Sequence, residues 1–304
     1  MVIRFSHVVA RDTPKGLAVE RFKSLVEQRS GGRIRVAMYP AARLYSDLDE
    51  MEALRLGAVE MLAPSLSKFG PIGFPEFELF DLPFLFERIA DVHRVTQGEV
   101  GSRLLDSLAR QGLVGLGFFD NGFKQMSANR PLREPGDFNG LRMRVQASRV
   151  IAAQFKALGA RPVVLAFSET RRALAAGVVD GTENPWSNIY SKKFHEVQGF
   201  IMDSNHGILD YMVITNAKWW NGLPADVRTA LNGAMQEAIT YGNRIAEEEG
   251  TAYRAKVIAD NKGKVLPMSK ENLMAWRTAM KPVWKKFEGE IGVDLIQAAE
   301  KANK

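Results

Sequence analysis

The chain has 304 residues, 46% hydrophobic and 25% charged, a globular balance that excludes wholesale disorder and suits one large domain or two of ordinary size. It contains no cysteine, which excludes disulfides, thiol nucleophiles, iron–sulfur clusters and cysteine-based zinc sites. Lys plus Arg number 41 against 35 for Asp plus Glu, a mild spread excess of +6 that does not advertise nucleic acid and fits a small anionic ligand equally well.

The start, MVIRFSHVVA, enters a strand-like run at once and lacks the basic segment, long apolar stretch and cleavage site of a secretory signal. It fits a cytoplasmic protein, or an exported one whose signal has been removed. Residues 2–9 read as a strand. Asp12-Thr13-Pro14 predicts a helix start, with an apolar stripe at Ala18, Phe22, Leu25 and Val26, and Gly31-Gly32 ends it. A second strand is expected at 33–40, a helix carrying Leu48, Met51 and Leu54 after it, and a short buried strand at 59–63. Strand–helix–strand repetition argues for a largely parallel sheet covered by helices. The pattern restarts with strands at 113–119 and 141–145, a helix at 149–158 capped by Ser148, a strand at 160–165 and a helix at 168–177. Two alternating blocks suggest two lobes. From Ala225 to about Lys262 there is no proline, and Val227, Leu231, Met235, Ile239, Ala246 and Val257 keep near helical period. This reads either as two helices broken near Gly250 or as one helix, about 50 Å long, running across both lobes.

Catalytic signatures are absent. GLGFFD (115–120) begins like a dinucleotide loop, but Asp120 stands where the third glycine belongs. The four histidines, His7, His93, His195 and His206, form no metal-ligand spacing, so no metal is expected. What remains is cations and amides in unusual places. Lys15 opens a helix, where a positive side chain opposes the dipole and where an anion could bind; a solvated lysine is the plainer reading. Arg142 and Arg144 share one face of a strand; a buried arginine there needs a partner, and a ligand carboxylate offers a bidentate one. Asn184-Pro185-Trp186 sets an amide beside a rigid aromatic, or is simply a turn.

These residues lie in stretches that occur in the order FSHVVARDTPKG (5–16), GGRIRVAMYP (31–40), APSLSKFG (63–70), FDLPFLF (80–86), NGFKQMSANRP (121–131), LRMRVQAS (141–148), DGTENPWSNIYS (180–191) and HGILDYMVITN (206–216). Together, over about residues 2–290, they resemble the extracytoplasmic solute-binding subunit of tripartite ATP-independent periplasmic (TRAP) transporters, in particular the binders of four-carbon dicarboxylates. The resemblance implies an α/β, two-lobe periplasmic-binding-protein-like fold with a ligand cleft and a long helix bridging both lobes. Lobe I is expected at 1–122 and 213–250, lobe II at 123–212 and 251–304. It implies a periplasmic monomer whose signal has been removed. It also implies membrane permease subunits as partners, a small organic-acid ligand captured by lobe closure, and no cofactor, nucleic acid or enzymatic activity.

Site residues follow from the resemblance one at a time. Arg144 matches the carboxylate-clamping arginine and Asn184 an amide reaching the same carboxylate. Lys124 occupies a basic position that is arginine in the sialic-acid binders of the family. Ser65 and Lys68 lie where those binders have an acid and an arginine, and Phe167 matches an aromatic beside the ligand. Lys15, His206 and Tyr211 are suggested by motif context. Arg171 departs from the usual tyrosine, as a local salt bridge or a changed pocket wall. Ser65 in place of an acid disfavours a long hydroxylated sugar acid. Succinate, malate or fumarate is therefore the expected ligand, with sugar acids and aromatic 2-oxo acids as rivals. A cytoplasmic organic-acid enzyme and a ligand sensor are the rivals from other classes.

Overall fold

The computed structural model of the chain describes residues 1–303. The first strand, β1 (Val2–Ser6), leads into α1 (Pro14–Arg29). Thr13 caps α1: its hydroxyl accepts from the Gly16 amide at 3.3 Å, and Pro14 opens the first turn. The expected stripe of Ala18, Phe22, Leu25 and Val26 is buried, and Phe22 meets Phe5 of β1 edge-on at 6.1 Å. The chain turns at Gly31-Gly32 into β2 (Arg35–Tyr39). The next helix, α2 (Glu50–Arg55), is shorter than its pattern predicts and leaves Leu48 exposed; β3 (Met61–Leu62) follows. Short 3-10 turns occupy much of 66–81, and then come α3 (Ile89–Thr96) and α4 (Glu99–Ser107).

A 16-residue strand, β4 (Leu113–Ala128), runs well beyond the predicted 113–119 and absorbs GLGFFD as plain strand. After it come β5 (Arg142–Val145), α5 (Arg149–Ala157), β6 (Arg161–Val164) and α6 (Phe167–Ala175). Ser148 caps α5 as expected, its hydroxyl accepting from the Ile151 amide at 3.1 Å. The chain continues through β7 (Gly181–Pro185), α7 (Trp186–Ser191), β8 (Phe200–Asp203), β9 (Ile208–Asn216) and α8 (Ala217–Asn221). Then comes α9 (Ala225–Asp260), unbroken through Gly250. Its 36 residues span about 54 Å at the helical rise, so the single-helix reading is the correct one. The chain closes with β10 (Lys264–Pro267), α10 (Lys270–Ile291) and α11 (Val293–Ala302).

These elements form two compact units, each built from separated stretches. The first takes 1–65, 102–121 and 210–249; the second takes 66–101, 122–209 and 250 onward. In the first unit the sheet order is β2-β1-β3-β9-β4, with β1 parallel to both β2 and β3, and β9 antiparallel to β3. Helix α9 packs closely on α1 here: a Cβ at Gly242 would lie 2.6 Å from that of Ala18, so only glycine permits the approach. In the second unit β5 is parallel to β6 and β7, β4 is antiparallel to β7 and β8, and β10 is parallel to β8. The sheets are therefore mixed rather than largely parallel, because β4 and β9 enter them without a covering crossover helix. The second unit's core gathers Met126, Phe138, Met143, Val145, Ile151, Phe155 and Trp276, with Phe138 edge-on to Trp276 at 4.9 Å.

One stretch differs from expectation. Residues 66–101, expected in lobe I, cluster with the second unit. The cause is a set of specific polar anchors. Glu78 accepts from the Arg149 amide at 3.2 Å and from its guanidinium at 2.7 Å, at the start of α5. Asp81 accepts from Ser67 at 2.6 Å and from the capping Ser148 at 2.8 Å, and Gln154 donates to its carbonyl at 2.6 Å. Trp284 of α10 donates to Pro83 O at 3.0 Å. Phe69, Phe74 and Phe77 form a ring cluster over these anchors, with centroids 4.5 to 6.3 Å apart.

Burial pushes the Asp81 carboxyl up to about 6, against the Lys124 charge and the hydroxyls of Ser67 and Ser148. A raised carboxyl holds its proton more tightly folded than unfolded. Its contribution to stability is full below the ordinary value of 3.8 and is lost as pH rises through about 6. Asp81→Asn removes that titration. Denaturant unfolding at about pH 4 and about pH 7.5 should show the variant gaining on the wild type by roughly 2–3 kcal/mol over the interval. A difference that does not change with pH would count against the buried titration.

Candidate functional site

The nine residues expected at the site divide between the units. Lys15, Ser65 and Tyr211 lie in the first, and Lys68, Lys124, Arg144, Phe167, Asn184 and His206 in the second. All nine are buried.

In the first unit the structure brings its three residues together. Lys15, in the first turn of α1, donates to Ala63 O at 2.8 Å, and its ammonium sits 3.4 Å from the centroid of the Tyr211 ring. Ser65 pairs with Tyr211 through an isolated antiparallel bridge. The Tyr211 hydroxyl accepts from Asn121 Nδ2 at 2.8 Å, and the Asn121 amide donates to Asp210 Oδ1 at 3.0 Å. Asn121 and Asp210 were not singled out from sequence; both stand beside expected residues, but an amide or carboxylate next to a glycine or an apolar strand carries no signal of its own.

In the second unit Arg144 is held on β5 with only 2% of its surface exposed, and its Nε donates to Leu165 O at 3.0 Å. Its guanidinium lies 5.9 Å from the ring centroid of Phe167, the first residue of α6. Arg142, on the same strand, is instead exposed and paired with Asp180 at 2.8 Å. The two arginines thus resolve into one surface ion pair and one buried guanidinium. Asn184 lies on β7, its Nδ2 donating to Thr182 Oγ1 at 3.4 Å and its Oδ1 accepting from Asn188 at 3.1 Å. Lys68 is buried in the turn Leu66–Lys68.

Lys124 and His206 are joined by a residue the sequence reading missed, Glu183. The Lys124 ammonium is 2.6 Å from Glu183 Oε1, and His206 Nε2 is 2.7 Å from Glu183 Oε2. Ser204 Oγ meets the other ring nitrogen of His206 at 2.9 Å. Gly207 makes room for this: a Cβ there would lie 2.9 Å from Lys124 Cε. Two expected site residues therefore have partners within the protein. Glu183 answers the charge of Lys124. Both ring nitrogens of His206 are engaged, by Glu183 and by Ser204. Glu183 lies 59 residues from Lys124, and only the antiparallel register of β4 and β7 makes them neighbours. Arg171, the unusual cation of α6, pairs with Glu196 at 2.9 Å on the surface and is a local salt bridge.

The chain matches the family model described as bacterial extracellular solute-binding protein, family 7, over residues 5–290. It is 50% identical over 302 residues to the C4-dicarboxylate-binding periplasmic protein DctP of Rhodobacter capsulatus, covering 99% of this chain and 91% of that one. A TRAP periplasmic solute-binding protein from Shewanella oneidensis, solved with bound succinate, is 47% identical with a TM-score of 0.98, over 100% of this chain and 99% of that one. Another from Pseudomonas aeruginosa, solved with bound L-malate, is 44% identical with a TM-score of 0.91, over 94% and 99%.

Burial alone would raise the Glu183 carboxyl, but the Lys124 charge, with the His206 contact behind it, brings it down to about 2. This contribution to stability is present above the ordinary carboxyl value of 4.5 and is lost as pH falls toward about 2. At neutral pH, Glu183→Gln leaves the Lys124 ammonium buried without its carboxylate and should cost about 3–5 kcal/mol in denaturant unfolding. The double variant Lys124→Met with Glu183→Gln should recover much of that loss, since neither position of the pair then carries a charge. A double variant as unstable as the sum of the two single changes would show that the pair is not coupled.

Proposed function

Because the chain belongs to the family-7 bacterial extracellular solute-binding proteins, we propose that it captures a C4-dicarboxylate and delivers it to the membrane subunits of a TRAP transporter. On this reading it works as a monomer in the periplasm. The observation that carries the ligand class is the likeness, at 47% and 44% identity, to two proteins solved with bound succinate and L-malate. The burial of Arg144, Lys15 and Lys68, at 2%, 2% and 6% exposure, supports it, because it sets positive charge where solvent screens it little. Arg144 supplies a planar fork suited to one carboxylate, with Asn184 adding an amide. Lys15 and Lys68 provide further positive charge. Ser65, at 3% exposure, brings no acid to hold the hydroxyls of a sugar chain.

Capture and release of this kind need no covalent step. The protein's contribution is to replace the ligand's water with fixed donors and opposite charge. A monocarboxylate of equal size offers these donors one charged group fewer and binds worse.

Arg144→Lys keeps the charge but not the fork, and should weaken the best ligand at least about tenfold by titration calorimetry. An unchanged dissociation constant would remove Arg144 from the site. A thermal-shift series at equal concentration should show clear stabilisation by succinate, malate or fumarate, and little by butyrate or sialic acid, because stabilisation follows ligand occupancy. A sole large shift with a sugar acid or an aromatic 2-oxo acid would overturn the dicarboxylate assignment and keep the transport role.

A further inference from the structure

His7 follows directly on β1, at the strand's carboxyl end, the end at which parallel α/β sheets place their ligands. Its backbone is fixed: the amide donates to Tyr39 O at 3.0 Å, and its carbonyl accepts from Ala42 at 3.1 Å. Its side chain is fully buried, and neither Nδ1 nor Nε2 makes a well-formed hydrogen bond with any described residue, the Val9 backbone acting on the ring only weakly. Buried polar atoms without a partner are rare in native proteins, and each calls for a missing partner. The Lys15 charge is close enough to act on the ring. Lys15 lies in the first turn of α1, a 16-residue helix, so an ammonium group and the amide end of a helix share this corner.

We propose that His7 is a ligand-contacting residue, donating a ring N–H to a carboxylate oxygen of the bound organic acid beside Lys15. This rests on the organic-acid reading above. Burial, and after it the Lys15 charge, hold the imidazole's pKa down at about 3 against a smaller opposing hydrogen-bond pull from the Val9 backbone, so the ring is neutral at neutral pH before ligand binds. A neutral imidazole offers one donor and one acceptor. The donor suits a carboxylate. The acceptor suits a hydroxyl or a water, so a 2-hydroxy acid can use both nitrogens where an unsubstituted dicarboxylate uses one.

The test compares wild type, His7→Gln and His7→Phe as full chains by calorimetry with succinate and L-malate. His7→Phe fills the ring's volume and removes both nitrogens; it should weaken both acids at least about tenfold, malate more than succinate, with a ligand-free melting temperature no lower than wild type. His7→Gln keeps a donor and an acceptor and should stay within about threefold. Wild-type affinity in His7→Phe overturns the proposal. Equal losses in both variants, tracking equal drops in ligand-free melting temperature, also overturn it and make His7 structural. A wild type that binds neither acid sinks the dicarboxylate reading instead, and the same comparison with whichever organic acid does bind then decides His7. If His7→Phe does not fold, 15N-histidine spectra of the wild type decide: the His7 ring signals, assigned by their loss in His7→Gln, should move on ligand addition, and unmoved signals at saturation overturn the contact.

Discussion

Positive charge held out of water is the constraint around which this protein is organised. Lys15, Lys68, Lys124 and Arg144 are all nearly or fully buried, where an uncompensated cation is among the most destabilising features a fold can carry. Each must therefore be answered. Lys124 is answered internally by Glu183, and the answer is costly to arrange. It requires β4 and β7 in one register, Ser204 and His206 to steady the carboxylate, and a glycine at 207 to let the lysine pass. Lys15 meets the Ala63 carbonyl and the face of Tyr211. What surrounds a buried cation, and not burial alone, sets these residues apart.

The same division explains how two basic residues on one strand come to have different fates. Arg142 and Arg144 are two apart on β5 and so share a side in the alternating pattern. Arg142, near the strand's start, reaches solvent and a surface aspartate; Arg144, further in, lies against Leu165 and Phe167. Position along the strand decides between an ordinary ion pair and a buried guanidinium. Arg171 shows the reverse case: a cation conspicuous in sequence that settles into a surface cluster with Glu196, which Lys262 also joins at 2.8 Å.

Much of the fold could be read from local chemistry. The Thr13 and Ser148 caps, the apolar stripe of α1 and the proline-free run of α9 each follow from rules that act over a few residues. What local rules cannot supply is docking. The stretch 66–101 carries no periodicity that says which sheet it packs on; that is settled by Glu78 meeting Arg149 and by Asp81 meeting Ser148, pairings 71 and 67 residues apart in the chain. The site shows the same limit. Residue types in short motifs marked Arg144, Asn184 and Lys15, but Glu183 stood unremarked one residue from Asn184. Its importance lies in a partner reached only through strand register, and for that reason the sequence shows Lys124 without its internal counterion. His7 was weighed only for metal spacing, because nothing in sequence marks a side chain whose nitrogens find no partner after folding.

The chain passes between its two units after residues 65, 101, 121, 209 and 249. Neither unit is therefore a contiguous piece of polypeptide. A nascent chain that has reached residue 209 still lacks β9 and α9 for the first unit, and β10, α10 and α11 for the second. Trp276 and Met280, which fill the second unit's core, belong to α10 and arrive almost last. The usual order of synthesis, in which an early domain folds while a later one is still being made, is closed to such a topology. Both cores complete together, late, through contacts of long sequence separation, which slows folding and keeps apolar strands exposed for longer. For a protein of an extracytoplasmic family that is an advantage as much as a burden, since a chain that cannot finish either half early stays threadable until its carboxyl end is free.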